Sequence, residues 1–226
     1  MKRVVALVAA RDEGDRIGET VTALRALEPV TEVVVVDDGS RDETAPRSLA
    51  AGATVLRLER ARGKGRAMEG ALTRLRDRAP DVWLLADGDL AATAASLDAV
   101  LAPVMAGEAD LAIATFPPGQ AGGFGFVKRA ARHAIRLGSG LDVREPLSGQ
   151  RALTAEALEA VRPLARGFGV ETAMTIDAVR AGLRVLEVPA ELGHRPTFRD
   201  VRGFAHRGRQ GWDILRAALP RMLGLR

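Results

Sequence analysis

The chain has 226 residues, which is enough for one large domain with a substantial buried core. Its hydrophobic fraction of 47% and charged fraction of 27% are ordinary for a globular protein and exclude a disordered chain. Cysteine is absent, which excludes disulfides, thiolate chemistry and cysteine-based zinc sites. The net charge of +4 favours anionic partners such as phosphorylated metabolites, nucleic acid or a lipid surface. Because aromatic residues make up 4% of the chain and tyrosine is missing, binding of single-stranded nucleic acid by base stacking is not expected.

The beginning of the chain predicts a cytoplasmic protein. The apolar run from Val4 to Ala10 is followed at once by Arg11, Asp12 and Glu13, which indicates a first strand and not the core of a signal peptide. No apolar stretch reaches the roughly 18 residues that a membrane span requires. Any membrane contact is therefore expected to be peripheral, at the inner face.

Strand and helix patterns alternate along the first half of the chain. Short apolar runs, several of them β-branched, predict strands at 4–10, 32–36, 54–58, 82–86 and 111–114. Apolar residues at three- and four-residue spacing predict helices at 17–27, 42–51, 64–78 and 93–105. Such alternation predicts an α/β fold with a mainly parallel sheet, in which ligands bind at the carboxyl ends of the strands.

The second half is less regular. Glycine and proline between 116 and 125 predict a loop, which leads into a helix at 127–137. Further elements are predicted at 150–153, 155–161, 171–181 and 184–188, followed by a long loop. The last element, 204–223, is amphipathic, with Trp212 and Leu219 on its apolar stripe. This stripe is expected to pack on the core, and the alternative is a position on an anionic membrane surface.

Two aspartates follow the apolar strand at 82–86. Successive residues in an extended segment point opposite ways, so Asp87 and Asp89, two positions apart, are expected to share a direction, and Gly88 allows a tight turn between them. Carboxylate oxygens suit Mg²⁺ or Mn²⁺. The turn is therefore a candidate cation site, and the alternative is that the two acids cap the helix that follows.

A second acidic turn, Asp37-Asp38-Gly39-Ser40, ends the strand at 32–36. Carboxylates at a strand end are placed to accept hydrogen bonds from ribose hydroxyls or from a base, although they also cap helices. Between the two acidic turns, Lys64 lies among glycines and arginines just before a predicted helix. Such a loop is suited to contact phosphate, and the alternative is a solvated basic loop.

These segments and their order resemble the family 2 glycosyltransferases of the GT-A fold. The counterparts span residues 3 to about 190 and are Ala9-Ala10-Arg11-Asp12-Glu13, Asp37-Asp38-Gly39-Ser40, Gly63-Lys64-Gly65 and Asp87-Gly88-Asp89. The resemblance implies a Rossmann-like nucleotide-diphospho-sugar transferase fold, with a mainly parallel central sheet flanked by helices. It also implies a single domain, 1–226, with a nucleotide-sugar half at 1–115, an acceptor half at 116–203 and a C-terminal amphipathic helix at 204–226.

The resemblance assigns the donor site. It implies that Asp87 and Asp89 hold the cation, Mg²⁺ or Mn²⁺, and that Asp89 is catalytic through it. It implies contacts to the UDP- or GDP-sugar from Ala9, Arg11, Glu13, Asp37, Asp38, Gly39, Lys64, Asp87 and Gly88. Such an ion neutralises the charge that grows on the leaving diphosphate.

The acceptor side resembles polyprenyl-phosphate sugar synthases such as dolichyl-phosphate mannose synthase. The resemblance rests on Ser148-Gly149-Gln150-Arg151 and on the later Gly-Phe-Gly-Val-Glu that ends at Glu171. A lipid phosphate is already ionised, whereas a hydroxyl acceptor needs a base, for which Glu171 is the candidate. Glu171 also suits a helix cap. The family usually has Gln, as a residue linked to the metal, where this chain has Ala91.

Basic residues complete the predicted site. Arg129 and Arg132 share one helix face, which either receives an anionic acceptor or is solvated. His194 is a candidate third cation ligand, and the alternative is a structural histidine. The residues predicted to bind acceptor or phosphate are Arg129, Arg132, Ser148, Gln150, Arg195 and Arg199.

The sequence therefore predicts a metal-dependent, inverting sugar transferase with a polyprenyl phosphate as the first choice of acceptor. The second choice is a small soluble hydroxyl acceptor, such as a phosphorylated three-carbon acid. A non-catalytic nucleotide-binding scaffold is the alternative from another class. Nucleic acid is not expected as a partner, because the basic residues are scattered among acids.

Overall fold

A single mixed sheet forms the centre of the computed structural model, which describes residues 2–116, 125–193 and 216–221. The strand order within these residues is β3-β2-β1-β4-β6-β5-β7, and β6 alone runs antiparallel to its neighbours. The strands are β1 (Val4–Ala10), β2 (Val30–Asp37), β3 (Thr54–Arg57), β4 (Val82–Asp87), β5 (Leu111–Thr115), β6 (Arg151–Thr154) and β7 (Val185–Pro189).

Helices connect most of the strands. They are α1 (Ile17–Arg25), α2 (Thr44–Ala50), α3 (Lys64–Arg74), α4 (Asp98–Met105), α5 (Gly125–Ser139), α6 (Ala155–Val161) and α7 (Val170–Arg180). Short 3₁₀ helices occur at Arg76–Arg78, Ala91–Leu97 and Gly167–Gly169. Residues 216–221 are also helical.

Hydrophobic cores cover both faces of the sheet. Val4, Ala6 and Val8 of β1 face the core formed with α1, Ala91–Leu97 and α4. Val5 and Leu7 face the opposite core, formed with α3, α6 and α7. Because a central parallel strand is buried on both sides, it is apolar throughout, which explains why β1 has no polar alternation.

The α/β fold class and the mainly parallel sheet predicted from the sequence are confirmed. The predicted helix at 93–105 is wrong in its first part, which is 3₁₀ helix up to Leu97. The backbone of Ala91 has a positive φ of 50° and the Thr93 hydroxyl donates to the Leu90 carbonyl, so the chain turns too tightly there for an α-helix. The predicted helix at 64–78 likewise ends at Arg74.

Some predicted elements lie outside the described residues. These are most of the loop at 116–125 and most of the amphipathic helix at 204–223. Within the described ranges, the helices are too short or too polar to cross a bilayer.

Candidate active site

The carboxyl ends of three neighbouring strands bring the predicted donor segments together. Ala9 of β1 pairs with Asp87 of β4, and Ala10 pairs with Asp37 of β2. Because parallel strands end at the same edge, the loops that follow β1, β2 and β4 are adjacent. The Gly88 amide donates to the Ala9 carbonyl, which ties the second of the two acidic turns to the end of β1.

The acidic turn after β2 uses its carboxylates to hold the protein's own backbone. Asp37 is fully buried, and its Oδ1 accepts a hydrogen bond of 2.8 Å from the Ser40 amide. The Asp38 carboxylate accepts hydrogen bonds from the amides of Arg62, at 2.6 Å, and Gly63, at 2.8 Å. Asp37 therefore shapes the turn itself, while Asp38 fixes the approach to Lys64.

The loop after β1 is joined to the same turn. Asp12 Oδ1 accepts from the Arg41 amide at 2.8 Å, and the Asp12 amide donates to Ser40 Oγ at 3.0 Å. Asp42 Oδ2 accepts from the Gly14 amide at 2.7 Å. Burial opposes ionisation of Asp42, yet hydrogen bonds from Thr44 and Gly14 outweigh it and lower its pKa. The two loops therefore form one wall of the site, on which the predicted donor residues Ala9, Arg11, Glu13, Asp37, Asp38 and Gly39 are placed.

Gly39 is required where it stands. Its φ is +74°, and a Cβ at this position would lie 2.7 Å from the amide nitrogen of Ala61. Only glycine adopts this conformation without strain and leaves room for the neighbouring backbone.

Lys64 lies between two carboxylates at the centre of the site. Its Nζ is 2.6 Å from Asp87 Oδ1 and 2.8 Å from Glu171 Oε1. The Lys64 and Asp87 side chains are 27% and 29% exposed, so the cluster is partly open to solvent. Burial opposes the charged ammonium, but the charges of Asp87 and Glu171 outweigh it and raise the pKa of Lys64. Two carboxylates and one ammonium leave the cluster with one negative charge, which suits a further cation.

Gly65, next to Lys64, explains how Lys64 comes close to Glu171. Lys64 begins α3, and a Cβ on Gly65 would collide with the carbonyl of Ala165 and with Val170. Gly65 therefore lets the start of α3 pack directly on the segment that leads to Glu171. This contact brings Lys64 and Glu171 together although they are far apart in the sequence.

A turn before β6 completes the surroundings of Asp87. Gln150 Nε2 donates to Asp87 Oδ2 at 2.7 Å, and Ser148 Oγ donates to Gln150 Oε1 at 3.2 Å. A Cβ on Gly149 would lie 2.5 Å from Lys64 Nζ and 2.7 Å from Asp87 Oδ2. The absence of a side chain at Gly149 therefore leaves the space in which the ammonium meets the carboxylate.

Helix α1 supports the turn at 87–89. The Thr20 hydroxyl donates to the Gly88 carbonyl at 3.0 Å and accepts from the Ala91 amide at 2.8 Å. Arg16 donates to the Asp89 carbonyl at 3.1 Å. Asp89 itself is partly exposed. The turn is thus held by its backbone, which leaves Asp87 to the central cluster.

The described residues contain no group of three or more acidic or histidine side chains arranged to hold a metal ion. The donor set at Asp87 is nevertheless suited to Mg²⁺ or Mn²⁺, because these ions commonly take one or two protein carboxylates and complete their shell with phosphate oxygens and water. The ammonium of Lys64 shows that this position accepts a positive charge.

Other predicted residues do not join the cluster. Arg132 pairs with Asp142 at 2.6 Å on the exposed face of α5, and Arg129 is exposed on the same helix. The hydrogen bonds that Arg132 donates to Asp142, together with the charge of Asp142, raise the pKa of that guanidinium. His194, Arg195 and Arg199 lie outside the described residues.

The sequence did not predict that Gln150 contacts Asp87, and it gave no role to Arg151. The sequence predicts Gln150 on the acceptor side, and the family resemblance puts a glutamine near the metal at position 91. The side-chain amide at Asp87 comes instead from the turn just before β6, the antiparallel neighbour of β4. The sequence signal is Ser148-Gly149-Gln150-Arg151, in which polar residues surround a glycine next to a short apolar strand. The sequence does not say which strand lies beside β4.

Comparison with known proteins places the chain among sugar transferases. A family model described as glycosyl transferase family 2 matches residues 6–153. Glycosyltransferase AglJ of Haloferax volcanii is 29% identical over 202 residues, which cover 88% of this chain and 65% of the relative. Glucosyl-3-phosphoglycerate synthase of Mycolicibacterium paratuberculosis is 30% identical over 208 residues, with 80% of this chain and 62% of the relative covered. The chain thus spans less than two thirds of the length of these two relatives.

Solved structures of a similar enzyme share the fold. Glucosyl-3-phosphoglycerate synthase from Mycobacterium tuberculosis, in complex with Mn²⁺, UDP-glucose and phosphoglyceric acid, matches with a TM-score of 0.79. The identity is 25%, and the match covers 98% of this chain and 80% of that one. The same enzyme with Mg²⁺ and UDP matches with a TM-score of 0.78 at 25% identity, over 96% of this chain and 79% of the other.

Proposed function

The chain belongs to glycosyl transferase family 2, and from that premise we propose that it transfers a glucosyl group from UDP-glucose to a small phosphorylated three-carbon acceptor such as phosphoglycerate. The observation that carries the proposal is Lys64, whose ammonium lies between Asp87 and Glu171 at the carboxyl edge of the sheet. Such a cluster binds a charged diphosphate and an accompanying cation. The names of the similar enzymes favour the soluble acceptor over the polyprenyl phosphate that was the first expectation.

Asp87 and Asp89 would hold the divalent ion, Mg²⁺ or Mn²⁺, with His194 as a predicted third ligand. The fit is supported by the cradle at Gly149, where a Cβ would occupy the space beside Asp87 Oδ2. Such an ion, when bound, neutralises the charge of the leaving diphosphate. The nucleoside would lie against the wall formed by the loops after β1 and β2, from Ala9 to Glu13 and from Asp37 to Gly39.

Lys64 and Glu171 carry the steps that belong to the chain itself. Glu171 accepts the proton of the acceptor hydroxyl, since its carboxylate already lies in the centre of the site. The Lys64 ammonium then contacts the diphosphate. Its positive charge reduces the electrostatic repulsion between the diphosphate and the carboxylate of Asp87. Inversion at the anomeric carbon stays a prediction, and the proton coupling of the anomeric centre in the product measures it.

The test is transfer of radiolabel from UDP-glucose to defined acceptors. Phosphoglycerate and glycerol 3-phosphate are compared with a polyprenyl phosphate in detergent, each with Mn²⁺ and with a chelator. We expect label in an anionic aqueous product, only when metal is present. Label that appears solely in the solvent-extractable lipid would overturn the choice of acceptor. Metal-dependent UDP binding without turnover on any acceptor would instead support the non-catalytic scaffold.

A further inference from the structure

Arg151 is a buried cation that the proposed reaction does not use. It is the first residue of β6, is 1% exposed and is the largest of the fully buried side chains in the described part of the chain. Burial lowers its pKa to about 10, while the charges of Glu171 and Glu187 act in the opposite direction. The guanidinium therefore remains charged at neutral pH in a place where a charge is costly.

The partners of Arg151 do not explain its burial as an ion pair. Among the described residues, its hydrogen bonds go to two neutral oxygens: Nε donates to the Ser148 carbonyl at 2.8 Å, and Nη1 donates to Thr175 Oγ1 at 3.0 Å. The buried Nη2 makes no hydrogen bond within those residues. Such a group contributes little to the stability of the fold, because its desolvation is only partly offset.

One end of Arg151 holds the turn that reaches Asp87. Its bond to the Ser148 carbonyl fixes Ser148, whose hydroxyl donates to Gln150. Gln150 in turn donates to Asp87 Oδ2. The contact of the Gln150 amide with Asp87, the candidate cation ligand, therefore depends on the guanidinium of Arg151.

The other end holds the helix that carries Glu171. Thr175 Oγ1 accepts from Arg151 and donates to the Glu171 carbonyl at 3.0 Å, within the first turns of α7. The Glu171 carboxylate contacts Lys64, which contacts Asp87. The guanidinium of Arg151 is thus connected both to Asp87, through Ser148 and Gln150, and to Glu171, through Thr175.

We propose that Arg151 is a positioning residue, which sets the separation between the Gln150 amide on Asp87 and the Glu171 carboxylate on Lys64. The consequence for catalysis rests on the proposed function. The consequence for the geometry of the Lys64 cluster does not, because it follows from contacts within the chain. Arg suits this task better than Lys, since its rigid fork donates in two directions at once.

The experiment compares Arg151→Met, Arg151→Lys and a control, Arg221→Met. Arg221 is a buried arginine that also contacts α7, through Asp177 at 2.6 Å, but it lies outside the Lys64 cluster. Two properties are measured beside thermal unfolding. One is kcat and KM for the transfer reaction. The other is the side-chain NMR signal of the Lys64 ammonium, which is simple to assign because Lys2, Lys64 and Lys128 are the lysines of the chain.

For Arg151→Met we expect a folded protein whose kcat falls by about 10–100-fold while KM for the donor changes by less than about 3-fold, since small misplacements of positioned groups act mainly on kcat. The side-chain NMR signal of the Lys64 ammonium, which the wild type is expected to show, should disappear in this variant. Arg151→Lys should recover part of both properties. Arg221→Met should lower the unfolding temperature and leave kcat and the Lys64 signal unchanged.

Two results would overturn the proposal. The first is a folded Arg151→Met variant with the wild-type kcat and the wild-type Lys64 signal. The second is an equal loss of both properties in Arg221→Met, which would make the effect one of general stability. If the wild type transfers no sugar at all, the proposed function fails, whereas loss of the Lys64 signal in Arg151→Met alone would still support the positioning role.

Discussion

The acidic turn after β2 and the acidic turn after β4 lie at the same edge of the sheet, but they have different kinds of partners. Asp37 and Asp38 accept hydrogen bonds from backbone amides of the chain itself, and Asp37 Oδ2 also lies 3.4 Å from Arg57 Nε. Asp87 contacts the ammonium of a lysine side chain and a side-chain amide. An amide in the backbone cannot leave, whereas an ammonium on four methylenes is able to move when a ligand arrives.

We infer that this difference separates a carboxylate that holds the chain, beside which the nucleoside is proposed to lie, from a carboxylate that is able to exchange its cation partner. Acidic residues at strand ends look alike in the sequence, and both turns suited a ligand. On this inference the turn after β2 builds the wall of the site, and the turn after β4 presents a carboxylate whose cation partner is exchanged when a ligand binds. Four predictions test this separation, and they run from the largest expected effect to the smallest.

Asp87→Asn should abolish most of the activity while the fold is retained. Asp87 would hold the ion that neutralises the charge of the leaving diphosphate, and loss of one such stabilising contribution costs about 10²–10³-fold in kcat. The asparagine is isosteric, so the unfolding transition should stay close to that of the wild type. Steady-state transfer assays and urea unfolding measure the two effects. Asp142→Asn, in the exposed ion pair that Asp142 forms with Arg132 of α5, is the matched control and should change neither.

Asp38→Asn should show the opposite behaviour. Asparagine offers one acceptor oxygen for the two amides that Asp38 now binds, so we expect a loss of about 1–3 kcal/mol in the free energy of unfolding, the usual cost of an unsatisfied buried group. Denaturant titration measures this loss. A variant with wild-type stability and no nucleotide binding would show that Asp38 acts by contacting the nucleotide and not by holding the amides of Arg62 and Gly63.

Lys64→Met should increase the affinity of the nucleotide-free protein for Mn²⁺. The ammonium lies 2.6 Å from the oxygen that a cation would use, and its charge opposes a divalent ion. We expect tighter binding by about 10-fold, the size of a coupling free energy near 1.4 kcal/mol. Manganese titration followed by electron paramagnetic resonance measures it. Unchanged or weaker binding would mean that Lys64 does not compete with the cation.

Asp42→Asn should flatten the acid side of the stability curve. Because hydrogen bonds lower the folded pKa of Asp42 below its usual 3.8, its contribution is present above that pH and is lost as the pH falls through the folded value. The wild type should therefore lose stability on acidification more steeply than the variant. Chemical unfolding at a series of pH values between neutral and acid measures the slopes. Parallel curves would contradict the assignment.

Much of the fold was predictable from the sequence. The apolar runs located β1, β4 and β5 closely, because strands buried on both faces must be apolar along their whole length. The 3₁₀ helix after Leu90 was missed, because the periodicity of 93–105 does not report the positive φ of Ala91. The position of β6 was also missed, since an alternating pattern predicts consecutive parallel neighbours and not an antiparallel strand between β4 and β5.

The candidate site was predictable in part. Asp87, Lys64 and Glu171 were identified as candidates, and the structure brings these three together. Their mutual contacts were not predicted, and neither were the contact of Gln150 with Asp87 and the burial of Arg151. The roles expected for His194, Arg195 and Arg199 stay predictions, because these residues lie outside the described part of the chain.

By itself, the sequence determined the α/β class and the two acidic turns, because periodicity and turn residues are local properties of the chain. Only the tertiary structure decided which carboxylate meets a backbone amide and which meets a lysine. Those contacts join residues tens of positions apart, such as Gln150 and Asp87, and they depend on the order of the strands in the sheet. Strand order is set by the packing of whole elements, which no local pattern encodes.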